Sequence, residues 1–237
     1  MFNPAPRIEL LAIAGHKPCI VVDDFLLDPE AMVDAVARAR DGFAPAPLNA
    51  YPGIELPAPD ALSAQLDGFF MQHVRQRLGA RRTVRMHSRL SIVTLAPQQL
   101  QPLQRVCHRD RLAAEADQSV AAAVVYLFRD PALGGTSFYA PRQGMAETER
   151  LITAWNGMGQ AAMTEVIGAE PGYLVGSNRY FELLATVPAK FNRAIFYDGS
   201  MFHSSHVTRP ELLNADPAQG RLTLNGFFVC RNAAASQ

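Results

Sequence analysis

Cysteine is scarce in these 237 residues, and the three present, Cys19, Cys107 and Cys230, are odd in number and far apart. They cannot all pair, and no C-x-x-C spacing exists, which excludes a disulfide scaffold and a cysteine-based structural zinc site. A reducing, cytoplasmic setting is the economical expectation. Lysine is nearly missing too: of 22 basic residues only Lys17 and Lys190 are lysine, which we take as codon usage rather than chemistry. Charge of one sign is absent, since 22 basic and 22 acidic side chains give a formal net charge of zero. That balance argues against a coat for nucleic acid or an anionic membrane, and neither partner is expected. No apolar run approaches the ~18 residues of a membrane span. The first eleven residues carry Pro4, Pro6, Arg7 and Glu9 without the apolar stretch of a signal peptide. Internal repeats and low-complexity bias are also missing.

What the chain has in quantity is apolar side chains, 49% of the sequence. Over this length they suffice for one large domain with a substantial core. The β-branched run Ile20-Val21-Val22 predicts a strand within 18–25. Asp28-Pro29-Glu30 has the form of a helix start, with Asp as N-cap, Pro at the first helical position and Glu in the first turn. That helix is predicted to reach about Arg40 and to bury Met32, Val33, Val36 and Ala37. Five prolines between 41 and 59 predict an irregular connection. A second helix is predicted over 60–79, with Leu62, Leu66, Phe69, Phe70, Val74 and Leu78 as its apolar stripe. Beyond Gly79 the texture turns to β, with short runs at 84–95, 119–128, 136–139, 181–187, 193–197 and 221–229. Within 146–167 the first half is predicted helical. Two helices followed by many short strands predict an α+β fold, an antiparallel sandwich or jelly roll with an N-terminal helical layer. The expectation is a single domain over 1–237, with the helical layer at about 28–79 and the β core at about 84–230.

Chemistry first shows at His108-Arg109-Asp110. In an extended chain residues i and i+2 share a side, so His108 and Asp110 converge while Cys107 and Arg109 face away. A 2-His-1-carboxylate face, the arrangement that holds non-haem Fe(II) with open positions, then needs a second histidine from elsewhere. His203 and His206 are the candidates. An H-x-D taken alone is also what a loop shows by chance. Arg221 and Thr223 share one face of the predicted strand 221–229, and a planar guanidinium beside a hydroxyl suits a buried carboxylate. A strand-initial arginine in a surface ion pair is the plainer alternative. Tyr126, closing a long apolar strand, reads by itself as a core tyrosine.

Taken in order, His108-x-Asp110, Val125-Tyr126-Leu127, Gly134-Gly135-Thr136-Ser137-Phe138, Phe196-Tyr197-Asp198-Gly199-Ser200-Met201-Phe202-His203 and Arg221-x-Thr223 resemble the iron(II)- and 2-oxoglutarate-dependent dioxygenases, in particular their prolyl-hydroxylase-like branch. The resemblance covers about 85–230, and Val21-Val22-Asp23-Asp24-Phe25-Leu26 is similar to an early strand of such enzymes. It implies a double-stranded β-helix, an Fe(II) cofactor, and 2-oxoglutarate and O2 as cosubstrates. By the same resemblance His108, Asp110 and His203 are the metal ligands and the catalytic centre. Arg221 grips the far carboxylate of 2-oxoglutarate, Thr223 helps it, and Tyr126 hydrogen-bonds the same carboxylate. The implied activity is hydroxylation of an unactivated C–H bond of a small molecule, amino acid or peptide, with 2-oxoglutarate oxidatively decarboxylated to succinate and carbon dioxide. One departure stands out. The 18 residues from His203 to Arg221 exceed the family's usual gap, so 209–219 looks inserted and His206 remains a rival for the third ligand.

Other features divide between readings. Arg75, Arg77, Arg81, Arg82, Arg85 and Arg89 form a basic cluster, read as a solvated helix end and edge strand, since few aromatics interleave with them. His87 and Arg89 also suit the mouth of a barrel. His16 and His73 have no partner in the sequence and are taken as surface residues. Trp155 and Asn156 fit either a substrate lid or, for Trp155, the core. Three rival functions were weighed. A non-catalytic jelly-roll metal- or ligand-binding protein is disfavoured because metal and cosubstrate residues are both present. A zinc hydrolase has no use for Arg221-x-Thr223, and a halogenase of the same superfamily would lack the carboxylate of Asp110.

Overall fold

The computed structural model describes residues 1–45, 51–110, 115 and 117–232. Its strands are β1 (Ile8–Leu11), β2 (Cys19–Val22), β3 (Ala44–Pro45), β4 (Gly53–Pro57), β5 (Ala80–Val93), β6 (Gln118–Tyr126), β7 (Gly135–Pro141), β8 (Phe181–Val187), β9 (Arg193–Asp198), β10 (Phe202–His206) and β11 (Arg221–Asn232). Its α-helices are α1 (Pro29–Arg38), α2 (Asp60–Phe69), α3 (Met145–Trp155) and α4 (Gln160–Ile167). Eight strands form one sheet in the order β1-β2-β9-β6-β11-β5-β4-β3, and three form a second in the order β10-β7-β8. Every pairing between neighbouring strands is antiparallel. The mixture of antiparallel sheets and a few helices agrees with the α+β expectation. Among the described residues no helix is long and apolar enough to cross a membrane.

The period-two alternation of the strands assigns the two faces of the large sheet. On β6, Ala121, Ala123 and Val125 join the cluster that receives Leu62, Leu66, Phe69 and Phe70 of the helical layer, while Ala122 and Tyr126 join a second cluster on the opposite face. The helices therefore cover one face and leave the other to the smaller sheet. Asp28 caps α1 as its sequence requires, accepting a hydrogen bond from the Ala31 amide at 2.9 Å. Val36 is buried on that helix and Met32 and Val33 are partly so. The helical run expected over 60–79 is present but not uniform: α2 passes into a wider π turn over Phe70–Val74 and a 3-10 turn over Arg75–Leu78, ending at Gly79 with φ 69°. The wider turn seats Phe70 flat on Phe228, ring centroids 4.0 Å apart, while Phe69 stacks on Phe196 at 5.8 Å.

Three expectations need correcting. The proline-rich stretch 41–59 is not wholly irregular, since β4 pairs with β5 from Gly53↔Val93 to Pro57↔Arg89 and strands thus interrupt the helical layer. Pro52 and Pro57 bound this short strand near the sheet edge, where prolines are tolerated. The helical part of 146–167 extends over both halves as α3 and α4. The second of these starts at Gly159 with no side-chain cap to announce it. His73 is not a free surface group but lies half-buried, its ring 4.7 Å from that of Phe69.

Candidate metal centre

The site begins with a main-chain exchange. His108 N donates to His203 O at 2.9 Å and His203 N to His108 O at 2.8 Å, so the two residues sit directly opposite each other and present their rings to one side. Their ring centroids are 4.4 Å apart. Two residues on, Asp110 N donates to Gly199 O at 2.9 Å, which returns Asp110 to the face of His108 as the extended period requires. Glycine at 199 leaves room for this approach: a Cβ there would stand 3.1 Å from Asp110 Oδ2 and 3.0 Å from Val120 Cγ1, and would press on the carboxylate. Arg109 points the other way and donates to Glu149 of α3, and Cys107 is buried in the cluster under that helix.

His108, Asp110 and His203 each offer a ligand atom, and these atoms lie within 4.8 Å of one another. His203 Nδ1 is 2.9 Å from the Met201 carbonyl, to which it donates, and this fixes Nε2 as the lone-pair nitrogen, 3.7 Å from Asp110 Oδ2. Burial, with His203 and Arg89 nearby, holds His108 well below the usual histidine range, so it is a neutral imidazole able to coordinate. Burial raises the Asp110 carboxyl, partly against His203, Arg89 and His87. Asp110 Oδ2 is buried with no hydrogen-bond partner among the described residues. An orphaned carboxylate oxygen facing two imidazoles is unfavourable for a protein alone and suits a divalent cation. The donor set, two nitrogens and one oxygen from one side, fits the facial triad of non-haem iron.

Arg221 approaches from β11. It is 2% exposed, and its Nε and Nη2 donate to the carbonyls of Leu133 and Gly135 at 3.0 and 2.7 Å. No carboxylate pairs with it among the described residues. Thr223 shares its face, donating to Ser91 O at 3.4 Å and accepting from Asn225 Nδ2 at 3.1 Å. Both line a cavity of about 60 Å³ together with the three triad residues, Tyr51, Arg89, Thr136, Tyr197, Asn225 and Phe227. Arg89 Nε stands 2.9 Å from Glu55 Oε1, so this second arginine is paired.

Tyr126 and His206 lie outside that lining. The Tyr126 hydroxyl donates to Thr136 Oγ1 at 2.8 Å, and Thr136 is what reaches the cavity. His206, at the end of β10, has Nδ1 2.8 Å from Ser137 Oγ and is not grouped with the triad. Asn225 and Tyr51 are among the lining residues that the sequence reading does not single out. Asn225 is the next inward position after Arg221 and Thr223, so the same alternation that found those two contained the signal. Tyr51 comes from the proline-rich connection, where nothing in the sequence points to it; burial pushes its phenol up to about 12, against the pull of Arg221 and Thr223.

Fold and site together define a protein of antiparallel sheets whose smaller sheet carries His203, one of the three residues of a candidate His–Asp–His metal centre. The chain belongs to the DUF6445 family, a family of unknown function, whose model matches residues 4–228. No curated protein matches it. Among solved structures it is similar to a prolyl-4-hydroxylase of Pseudomonas putida, at 16% identity over 93% of this chain and 95% of that one, with a TM-score of 0.46. It is similar to the epimerase SnoN from nogalamycin biosynthesis, in complex with Fe3+, alpha ketoglutarate and nogalamycin RO (13% identity, 92% and 82% coverage, TM-score 0.48). HygX of Streptomyces hygroscopicus, with nickel and 2-oxoglutarate bound, gives 13% identity, 91% and 83% coverage and a TM-score of 0.44.

Proposed function

We propose that this protein is an Fe(II)- and 2-oxoglutarate-dependent oxygenase that hydroxylates an unactivated C–H bond of a small molecule, amino acid or peptide. The observation that carries the reading is Arg221, a guanidinium buried beside a triad of metal-ligand type with no acidic partner among the described residues. A buried cation met by two carbonyls and the ring of Phe128, 5.5 Å away, keeps its charge uncompensated and calls for an anion. Charge bookkeeping defines which one. A ferrous ion and ionised Asp110 leave one positive charge, Arg221 adds another, and the Arg89–Glu55 pair adds none. The dianion 2-oxoglutarate neutralises the cavity, whereas a monocarboxylate leaves it charged.

In this reading His108, Asp110 and His203 hold the iron, and the Met201 carbonyl keeps Nε2 of His203 turned to it. Arg221 and Thr223 receive the distal carboxylate of 2-oxoglutarate. Tyr126 acts on that end through Thr136, and Tyr51 stands as the nearer phenol. Bound there, iron and cosubstrate supply the oxidation, in which O2, 2-oxoglutarate and substrate C–H become succinate, carbon dioxide and substrate C–OH. The protein's share is orientation, a low-dielectric cavity and one fixed tautomer. We assign one such domain to 1–237, with a jelly-roll core of double-stranded β-helix type at about 84–230 and the strand-interrupted helical layer at about 28–79. A cytoplasmic location suits its three buried free thiols. The reading is tested by succinate formation from 2-oxoglutarate with Fe(II), ascorbate and O2. Turnover dependent on iron and lost in Arg221→Met is expected; a full set of turnover conditions without any succinate above the iron-only blank would refute it.

A further inference from the structure

His108 borders two cavities. One is the small cavity of Arg221 and Thr223, about 60 Å³, and the dicarboxylate proposed above accounts for it. The other, on the side of α3, is about 310 Å³ and belongs to nothing yet described. Its walls are mainly carbon: Leu103, Val106, Ile152 and Phe202 line it, and at the C-terminal end of α3 Asn156 supplies an amide and Thr153 a hydroxyl that donates to Glu149 O at 2.9 Å and can still accept. Arg109 is also in the lining; its charge is paired, while its Nε is buried with no hydrogen-bond partner among the described residues and is a further donor. Its guanidinium donates to Glu149 and lies 5.2 Å above the ring of Phe202.

The wall is built on firm supports. Trp155, next to Asn156, is 1% exposed and packs edge-on against Tyr180 at 4.9 Å, so α3 is anchored from behind. Trp155 is thus core, and its neighbour Asn156 is the residue that faces the cavity. Space, apolar walls and a few convergent polar groups are the features of a preformed small-molecule site. A neutralised arginine gives no net charge with which to hold an ionic ligand, and an ion entering such a pocket loses hydration without recompense.

We infer that this second cavity binds an uncharged, largely apolar small molecule of about ring size, hydrogen-bonded by Thr153 and Asn156. Resting on the oxygenase reading, it holds the part of the substrate that extends past the metal ligand His108, since Asp110 and His203 line the other cavity. A substrate that relies on a carboxylate or ammonium for recognition does not fit it.

Saturation-transfer NMR on the full chain tests this with three probes of similar size: indole, benzoate and benzylamine. Indole is expected to receive saturation and the two ions are not. Thr153→Trp, at an exposed position that the fold tolerates, and Asn156→Trp should each weaken indole by about tenfold or more, with melting temperatures unchanged. Benzoate or benzylamine binding that Thr153→Trp or Asn156→Trp weakens overturns the inference, as does indole binding unaltered in both variants. Iron and 2-oxoglutarate titrated in parallel keep the two readings apart. Indole bound without a metal chelate supports the cavity and removes the oxygenase; a chelate without indole binding removes the cavity alone.

Discussion

Two arginines in this chain are buried equally, at 2% exposed each, and they do different work. Arg105 lies in the helical region over the smaller sheet. Its Nη1 donates to Gln160 Oε1 and Thr164 Oγ1, both at 3.2 Å, and its Nη2 to Ala169 O at 2.8 Å. Gln160 opens α4 and Thr164 lies within it, while the Ala169 carbonyl lies just past its C-terminal end, where carbonyls carry partial negative charge, and Glu170 stands near. Arg105 is a staple whose two terminal nitrogens are taken up by acceptors of the helix it holds and whose charge is eased by Glu170, its Nε alone having no partner among the described residues. Arg221 has two carbonyls and a cavity. Burial of a cation therefore says little until its neutralising charge has been traced. Where the trace ends in protein the residue is structural, and where it ends in open space the residue marks a ligand.

The comparison is broken most completely by removing the metal on which the Arg221 site depends. Asp110→Ala should abolish iron binding, read as metal content after gel filtration, while the fold survives because Oδ2 makes no hydrogen bond to lose. His203→Ala should do the same, and His206→Ala should keep its iron. Iron lost only in the His206 variant would exchange the two histidines. Next in size is Arg221→Lys, which keeps the charge but not the planar fork. Calorimetry should show 2-oxoglutarate weakened by about 2–5 kcal/mol, some 30-fold to several thousand-fold, with iron still bound. An unchanged affinity would place the anion elsewhere.

Arg105→Met sharpens the contrast from the other side. Urea unfolding should show a loss of about 1–3 kcal/mol from stranded acceptors such as the Ala169 carbonyl. The folded protein should bind 2-oxoglutarate as before, and a matching loss of affinity would erase the distinction between the two arginines. The smallest effect is expected far from both. Asp23 is paired with Lys190 at 2.8 Å and Arg193 at 2.6 Å, and chiefly the Arg193 hydrogen bond holds its carboxyl down at about 2. A lowered carboxyl pKa stabilises the fold above the ordinary aspartate range and loses that contribution as pH falls from about 4 toward 2. Asp23→Asn should cost less than about 1 kcal/mol at neutral pH for so exposed a pair, and the difference in melting temperature should vanish near pH 2. A difference that persists there would deny the ion pair its role.

How much of this was readable beforehand depended on whether the signal was periodic. His108 and Asp110 came together because extended chains repeat every two residues, and the same rule brought Arg221 and Thr223 to one face. The helix start at Asp28 and the stop at Gly79 followed from local cap chemistry. What escaped was set by contacts distant in sequence. β4 lies between prolines and is a strand because β5 offers it a partner, and Tyr51 reaches the cavity just ahead of it. α4 starts on a glycine with no capping side chain. The hydroxyl of Tyr126 was visible, but its partner Thr136 is chosen by the packing of two sheets. Nor does a sequence reveal that Arg109 is neutralised and Arg221 is not, because that is a property of neighbours.

Anaerobic titration of the protein with Fe(II) and 2-oxoglutarate, followed by visible absorption, tests the central claim most directly. The site described here predicts a weak charge-transfer band that requires both components, saturates at one equivalent of each, and disappears in Asp110→Ala. Folded protein that takes up iron and 2-oxoglutarate without that band, or takes up neither, would contradict it.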